Sequence, residues 1–152
     1  MNLTPHFTLA EMTRSGTAER LRLANDPDPA ARAALLQTAE MLERIRAVLD
    51  APVIVTSAYR APAVNRAVGG ATTSDHMAGQ AADILVPRFG TPYRVAKTLA
   101  PLVEKLGIGQ LILEGVKGKQ WVHVSTRPSS KVINRVITIT DAGARAGIHE
   151  VA

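Results

Sequence analysis

The segment SDHMAGQAAD, residues 74–83, places His76 and Asp83 seven residues apart. This spacing fits neither a helical turn nor a simple strand pairing, so a bend at Gly79 is needed to bring the two side chains together. Catalytic zinc is commonly held by three His or carboxylate ligands and keeps a fourth position for water. His123, in the segment WVHVS, would complete such a set from a neighbouring strand. A hydrogen-bonded surface pair of His76 and Asp83 is the alternative, and the spacing alone leaves both interpretations open.

The absence of cysteine narrows the chemistry further. A chain of 152 residues without cysteine can form no disulfide, cysteine zinc site, iron–sulfur cluster or thiol nucleophile. Any metal site must therefore use His, Asp or Glu. Of the four histidines, His6 and His149 lie near the ends of the sequence, whereas His76 lies in a Gly-rich segment and His123 in a predicted strand.

The charge favours a polyanionic partner. Eighteen Lys and Arg against thirteen Asp and Glu give a net charge of +5, which suits nucleic acid, teichoic acid or an anionic envelope. The basic residues are scattered, and one Trp, two Tyr and two Phe leave few stacking platforms for single-stranded nucleic acid. We therefore expect no nucleic acid as partner, although a basic nucleic-acid-binding domain remains an alternative class.

Length and hydrophobic content predict one compact domain over residues 1–152, since 46 % of the residues are hydrophobic. The start MNLTPHFTLAEM has no basic region followed by a long apolar stretch, and no run of about 18 apolar residues occurs. We therefore expect neither a signal peptide nor membrane insertion. The Ala- and Gly-rich tail from about residue 141 has no apolar stripe and is expected to be loose.

The N-terminal half predicts helices. Asp28 and the following proline begin a segment in which apolar residues recur at three- and four-residue spacing, which predicts an amphipathic helix over about 29–49. Thr8 and Glu11 form a capping-box pair for a short helix near 8–14. The segment TAERLRLAN favours another turn or two.

The second half predicts mainly strands. VIVTSAY and AADILV are buried strands with a short helix and a Gly-rich loop between them, and a helix from Thr91 to Gly107 should kink at Pro101. QLILE and QWVHVS form a hairpin around GVKGK, and VINRVITIT is a further strand. Helices first and strands later indicate an α+β protein, with N-terminal helices packed on a small, mainly antiparallel sheet.

The motif around the first histidine carries a family resemblance. The pattern Ser-x-His-x-x-Gly-x-Ala-x-Asp, followed later by Trp-x-His, resembles the zinc D-alanyl-D-alanine carboxypeptidase family, which includes vancomycin-resistance dipeptidases and phage L-alanyl-D-glutamate endolysins. FTLAEMTRS, TSAYRAPAVNRAVGG and QLILE are similar to the branch found in phage and prophage proteins. The resemblance covers about residues 7–125. Its motif residues are Ser74, His76, Gly79, Ala81, Asp83, Trp121 and His123.

This resemblance implies the hedgehog/DD-peptidase fold with one Zn²⁺ held by His76, Asp83 and His123. The family also has an arginine after the first strand that binds a substrate carboxylate or polarises the carbonyl, and Arg60 occupies that position. A guanidinium suits the role because its planar fork pairs bidentately with a carboxylate. A solvated loop arginine is the alternative interpretation.

Three neighbouring residues have supporting roles in this interpretation. Ser74 is expected to orient the loop rather than to act as a nucleophile. Tyr59 and Trp121 are expected to pack or to form walls of the cleft.

The general base departs from the family pattern. Several branches carry an acidic residue three positions before the last histidine, where this chain has Gln120, which cannot accept a proton from water. Glu114, at the end of QLILE, is similar to a glutamate of the phage branch, and Asp75 is the reserve candidate. An exposed strand-end carboxylate is the alternative interpretation of Glu114.

Hairpin register decides whether Glu114 can serve. If the turn comprises residues 116–119, Glu114 faces Trp121, Ile112 faces His123, and Glu114 shares a sheet face with that histidine. A turn one residue longer or shorter would place Glu114 on the opposite face.

The resemblance implies a zinc metallopeptidase that hydrolyses stem-peptide bonds of bacterial peptidoglycan, as a carboxypeptidase or an endopeptidase. The setting it implies is a phage or prophage wall-lysis enzyme, made in the cytoplasm and released to the wall or periplasm, or carried by the virion. A host wall-recycling enzyme is a further possibility. The positive charge would add nonspecific attraction to anionic envelope polymers. A non-catalytic, zinc-containing cell-wall-binding module is the alternative function, because the position of the usual acidic general base is occupied by Gln120.

Overall fold

Helices are the main elements of the first half of the chain and strands are those of the second, in a computed structural model that describes residues 1–127 and 133–151. The helices are α1 (Leu9–Thr13), α2 (Gly16–Leu21), α3 (Pro29–Leu49), α4 (Pro62–Ala67), α5 (Pro92–Leu99) and α6 (Val103–Leu106). The strands are β1 (Asn2–Thr4), β2 (Phe7–Thr8), β3 (Ile54–Ser57), β4 (Ala81–Leu85), β5 (Ile108–Val116), β6 (Lys119–Thr126), β7 (Arg135–Thr140) and β8 (Gly143–Ala146).

The main sheet has six strands in the order β3-β4-β6-β5-β7-β8. Every neighbouring pair is antiparallel except β5 and β7, which run parallel. The expected α+β class with a mainly antiparallel sheet is confirmed. Strands β1 and β2 form a separate small ribbon at the N-terminus.

The longest helix begins and ends where the sequence predicts. The Asp28 carboxylate accepts a hydrogen bond from the backbone N–H of Ala31 at 2.8 Å, and α3 ends at Asp50, whose φ of 49° is left-handed. The capping box of Thr8 and Glu11 also forms, at the start of α1. No helix in the described ranges combines the length and apolarity needed to cross a membrane.

The hydrophobic core lies between α3 and one face of the sheet. Side chains alternate between the two faces of a strand, so burying one face leaves the other for polar groups. The buried face packs in one cluster with α3 through Ile84, Leu111, Leu113, Val122 and Val124 of the sheet and Leu35, Leu42 and Ile45 of the helix. The opposite face carries the candidate site.

The predicted kink at Pro101 is confirmed. A 3₁₀ turn at Ala100–Leu102 separates α5 from α6, because a proline lacks the N–H that a continuous helix would need at that point. Helix α6 is followed by Gly107, whose φ of 73° is left-handed and ends the helix.

The C-terminal segment differs from the expectation of a loose tail. Residues 143–146 form β8, which pairs antiparallel with β7, and the backbone N–H of His149 donates to Thr138 Oγ1 at 2.9 Å. Strand addition satisfies backbone donors and acceptors and needs no apolar stripe, so the absence of a stripe was a poor guide. The run VINRVITIT yields β7 from Arg135 onwards, and its first residue lies outside the described residues.

Candidate active site

Two histidines and an aspartate converge on the polar face of the sheet. Strands β4 and β6 pair so that Asp83 lies directly opposite His123. Asp83 Oδ1 is 3.0 Å from His123 Nδ1 and 3.3 Å from Nε2 of His76. One ligand atom from each residue lies within 4.8 Å of the other two, so the group could hold a metal ion. The structure thus brings together the three residues that the sequence proposed as a set.

A bend at Gly79 returns the chain from His76 to β4, as predicted. Its φ is 75°, and a Cβ at this position would lie 2.5 Å from the carbonyl oxygen of Ala31 in α3. The Gly79 carbonyl accepts a hydrogen bond from Thr38 Oγ1 at 2.7 Å. The loop that carries His76 is therefore held closely against the long helix.

The orientation of the His76 ring is fixed by a backbone carbonyl. Its Nδ1 lies 2.6 Å from the carbonyl oxygen of Ala58, which follows β3, and only 2 % of the residue is exposed. A carbonyl oxygen can only accept, so Nδ1 carries a proton and the ring is held with Nε2 facing Asp83. Metal-binding imidazoles are commonly oriented in this way, by a hydrogen bond from the ring nitrogen that does not face the metal.

The carboxylate of Asp83 is held in its anionic form. Burial by itself would raise the pKa of Asp83, but the charges and hydrogen bonds of His76 and His123 outweigh burial and hold this pKa below its ordinary range. Two imidazole nitrogens and an anionic oxygen form the His₂–carboxylate donor set that catalytic zinc uses. The residues present therefore fit Zn²⁺.

Arg60 lies in the same cleft, partly buried. Its Nε is buried without a hydrogen-bond partner among the described residues, and its Nη2 is 3.5 Å from Ser74 Oγ. Burial lowers the pKa of Arg60, while the carboxylates of Asp83 and Glu114 act in the opposite direction. A guanidinium with donor capacity to spare can bind a further anion here.

The other supporting residues lie in different surroundings. Ser74 Oγ accepts a hydrogen bond from the backbone N–H of His76 at 3.2 Å, which fits a loop-orienting role. Trp121 lines the cleft. Tyr59 instead packs in the hydrophobic core, where burial raises its pKa and Asp28 and Asp26 act in the same direction.

The hairpin register places Glu114 on the site's face of the sheet. Glu114 pairs with Trp121 and Ile112 pairs with His123, as the sequence predicted. The turn itself is tighter than four residues, because Val116 also pairs with Lys119. The two residues between them both have positive φ, 52° and 76°, which is the pattern of a type I′ turn.

Gln120 lies on the other face of the sheet. It pairs with Gly115, and its Nε2 donates to the carbonyl of Val151 at 3.2 Å. Asp75, by contrast, lines the cleft, is 3 % exposed and lies 3.4 Å through Oδ2 from Nε2 of Gln110. Two carboxylates, those of Asp75 and Glu114, therefore line the cleft in addition to Asp83, which belongs to the candidate metal group of His76, Asp83 and His123.

The remaining histidines lie elsewhere. His6 Nδ1 is 2.7 Å from a Glu43 carboxylate oxygen, and His149 Nε2 is 2.6 Å from the carbonyl of Ala146. Neither belongs to the group that could hold a metal.

Sequence reasoning missed two polar side chains that line the cleft, which has a volume of about 540 Å³. Gln110 of β5 and Arg135 of β7 both line it. Alternation along β5 from Glu114 would have placed Gln110 on the same face. No comparable signal existed for Arg135, because the parallel pairing of β5 with β7 is not marked by a hairpin turn.

Comparison with known proteins supports the family level of the resemblance. The family model described as Peptidase M15 matches residues 5–125. That span contains the three converging residues together with Arg60 and Glu114, and it ends before β7. No curated protein matches the chain.

Proposed function

This chain belongs to the Peptidase M15 family, and we propose that it hydrolyses peptide bonds in the stem peptides of bacterial peptidoglycan. Membership implies a zinc-dependent metallopeptidase that acts on peptidoglycan-related substrates. The observation that carries the proposal is the convergence of His76, Asp83 and His123 in a cleft that also contains Arg60 and Glu114.

Each cleft residue has a distinct role in the proposed reaction. His76, Asp83 and His123 would hold zinc, and bound zinc would supply Lewis acidity to a carbonyl and lower the pKa of water. Glu114 accepts a proton from the attacking water and passes it to the leaving amine. Arg60 holds a substrate carboxylate or polarises the scissile carbonyl.

Glu114 is favoured over Asp75 as the general base by its surroundings. It lies on the sheet face that carries His123 and lines the same cleft as Arg60, which supports a position beside the proposed substrate. Asp75 is almost fully buried beside Gln110 and is better placed to support the loop of His76. Asp75 remains the reserve candidate.

The proposal extends to fold and setting. We assign the hedgehog/DD-peptidase arrangement to residues 1–152 as one metallopeptidase domain. The segments FTLAEMTRS, TSAYRAPAVNRAVGG and QLILE support a phage or prophage wall-lysis enzyme of the carboxypeptidase or L-alanyl-D-glutamate endopeptidase type. Such an enzyme acts at the wall or in the periplasm after release, or travels with the virion.

The direct test is digestion of purified peptidoglycan with zinc-loaded and chelator-stripped protein, followed by mass spectrometry of the released fragments. Zinc-dependent release is expected, and the fragments identify the bond: free alanine indicates a carboxypeptidase, and stem-peptide fragments that begin at D-glutamate indicate an L-alanyl-D-glutamate endopeptidase. Restored release after zinc is added back excludes loss of folding as the cause.

A second candidate function is a zinc-containing module that binds the wall without cutting it. The position of Gln120 favours this function, because the residue is not acidic and its side chain is turned toward Val151. A protein that retains zinc and binds peptidoglycan but releases no fragment would establish it.

A further inference from the structure

Arg135 is a second cationic residue in the cleft, contributed by a strand that lies beyond the part of the chain matched by the family model. Arg135 pairs in register with Gln110 of β5. Ile112 lies two residues after Gln110, on the same face of β5, and pairs with His123. Residues paired across a sheet share a face, so Arg135 lies on the face that carries the candidate metal group.

Arg135 and Arg60 lie on opposite sides of the candidate metal group formed by His76, Asp83 and His123. Arg60 follows β3 at one edge of the sheet, and β4, β6 and β5 separate β3 from β7. Adjacent strands lie about 4.8 Å apart, so β7 is about 10 Å from β6, which carries His123. The cleft therefore has a guanidinium on each side of the candidate metal group, separated by a distance that a peptide of a few residues spans.

The Arg135 side chain has no internal counter-ion among the residues described. No hydrogen bond or ion pair in residues 1–127 and 133–151 involves its guanidinium, and its register partner Gln110 is a neutral amide. The residue is partly buried. A partly desolvated guanidinium binds a carboxylate more strongly than an exposed one, since the surrounding dielectric is lower.

The start of β7 is held in place before any ligand binds. Asn134, immediately before Arg135, has a left-handed φ of 59°, and its side-chain oxygen accepts a hydrogen bond from Arg127 Nη1. The same nitrogen donates to the carbonyl of Ile108 at the start of β5. A backbone fixed in this way reduces the ordering cost of binding at Arg135.

We propose that Arg135 binds a second carboxylate of the substrate at the β7 end of the cleft. This inference rests on the proposed peptidase function and narrows its substrate class to peptides with at least two carboxylates, one for Arg60 and one for Arg135. Peptidoglycan stem peptides have this chemistry, because D-glutamate retains a free carboxylate when it is linked through its side chain.

The test compares three synthetic peptides. The first is L-Ala-γ-D-Glu-L-Lys-D-Ala-D-Ala, with one carboxylate on D-Glu and one at the C-terminus; the other two are each amidated at one of these positions. Dissociation constants are measured by titration calorimetry with the zinc-loaded full chain in a Glu114→Gln background, and mass spectrometry verifies that each peptide stays intact. Hydrolysis is measured separately with Glu114 present.

Adding Arg135→Gln should weaken binding of the unmodified peptide about 10- to 100-fold, the range for loss of a charge-assisted hydrogen-bonded pair. One of the two amidated peptides should be insensitive to this change. Arg135→Lys should recover part of the affinity, and Arg145→Gln is the matched control. Arg145 is exposed on β8 and pairs with Thr138, which points to the opposite face, so its loss should change the constants less than about twofold.

Equal losses for all three peptides, no loss, or the same loss with Arg145→Gln would each overturn the inference, as would failure of the parent protein to bind any of the peptides. Failure of the proposed function gives a different result: peptidoglycan is not hydrolysed although the amidation-specific loss at Arg135 persists. If peptidoglycan is hydrolysed but Arg135→Gln changes no dissociation constant, the proposed function holds and the inference about Arg135 fails.

Discussion

The two histidines of the candidate metal group present different ring nitrogens to the same carboxylate oxygen. His76 uses Nδ1 for the Ala58 carbonyl and turns Nε2 toward Asp83, whereas His123 turns Nδ1 toward it. The backbone therefore determines the orientation of His76, and strand pairing determines that of His123. Three side chains fixed in this way can bind a metal with little rearrangement.

Replacing any of these three residues by alanine should remove zinc and activity together. With two ligands left, the site loses the three-residue donor set that catalytic zinc commonly uses, so bound zinc after dialysis should fall to a small fraction of the parent value. Elemental analysis of the dialysed protein measures the metal, and peptidoglycan digestion measures the activity. The control is His6→Ala, which removes a histidine that contacts Glu43 outside the group. A variant at position 76, 83 or 123 that keeps full zinc occupancy would remove that residue from the ligand set.

Glu114→Gln should separate metal binding from turnover. An amide of nearly the same shape cannot accept a proton from water, so kcat should fall about 10²- to 10⁴-fold, the range for loss of a general base. Zinc content should stay at the parent value, because Glu114 lies outside the group of His76, Asp83 and His123.

The parallel variant is Asp75→Asn. If Glu114→Gln retains full turnover and Asp75→Asn loses it, the reserve candidate at position 75 is the base. Full turnover in both variants would exclude both carboxylates.

Among the strands and loops, the parts that the sequence predicted well are those fixed by local pattern. The register of Glu114 with Trp121 follows from strand alternation and a tight turn, although the turn has two residues rather than four. The bend at Gly79 follows from the need to return the chain within seven residues. Both features depend on residues that are close in sequence.

The parts that the sequence did not predict depend on pairing between distant segments. Arg135 reaches the cleft because β7 runs parallel to β5, and the two strands share no hairpin whose turn could have signalled the pairing. Strand β8 forms by backbone hydrogen bonds to β7 and so needs no hydrophobic pattern of its own. The tail was therefore expected to be loose.

The loop between His76 and Asp83 should be sensitive to a single methyl group. Gly79→Ala adds a Cβ 2.5 Å from the Ala31 carbonyl in a backbone with φ of 75°, so the free energy of unfolding should fall by about 1–3 kcal/mol. Zinc affinity should also fall, since the loop must shift away from α3. Denaturant unfolding of the zinc-free protein and a zinc titration measure the two effects.

Gly118→Ala is the matched control, since Gly118 has nearly the same φ of 76° but no atom within 4 Å of the added Cβ. It should cost about 1 kcal/mol from the left-handed backbone alone and leave zinc affinity unchanged. Equal losses of stability in the two variants would show that the contact with α3 is not what holds the loop.

For the molecule as a whole, the net charge of +5 should act on the wall as a long-range attraction. Binding of the zinc-loaded protein to isolated sacculi should weaken as salt rises from 0.1 to 1 M, because the Debye length shortens from about 10 Å to about 3 Å. Sedimentation of sacculi with bound protein measures the affinity.

Arg20→Gln and Lys105→Gln, both at exposed positions, should together weaken binding at low salt and leave hydrolysis of a soluble stem peptide unchanged. Duplex DNA titrated at the same salt concentrations distinguishes general polyanion binding from attraction to the wall. An affinity for sacculi that does not change with salt would contradict the prediction. It would mean that contacts in the cleft, rather than the surface charge, bind the protein to the wall.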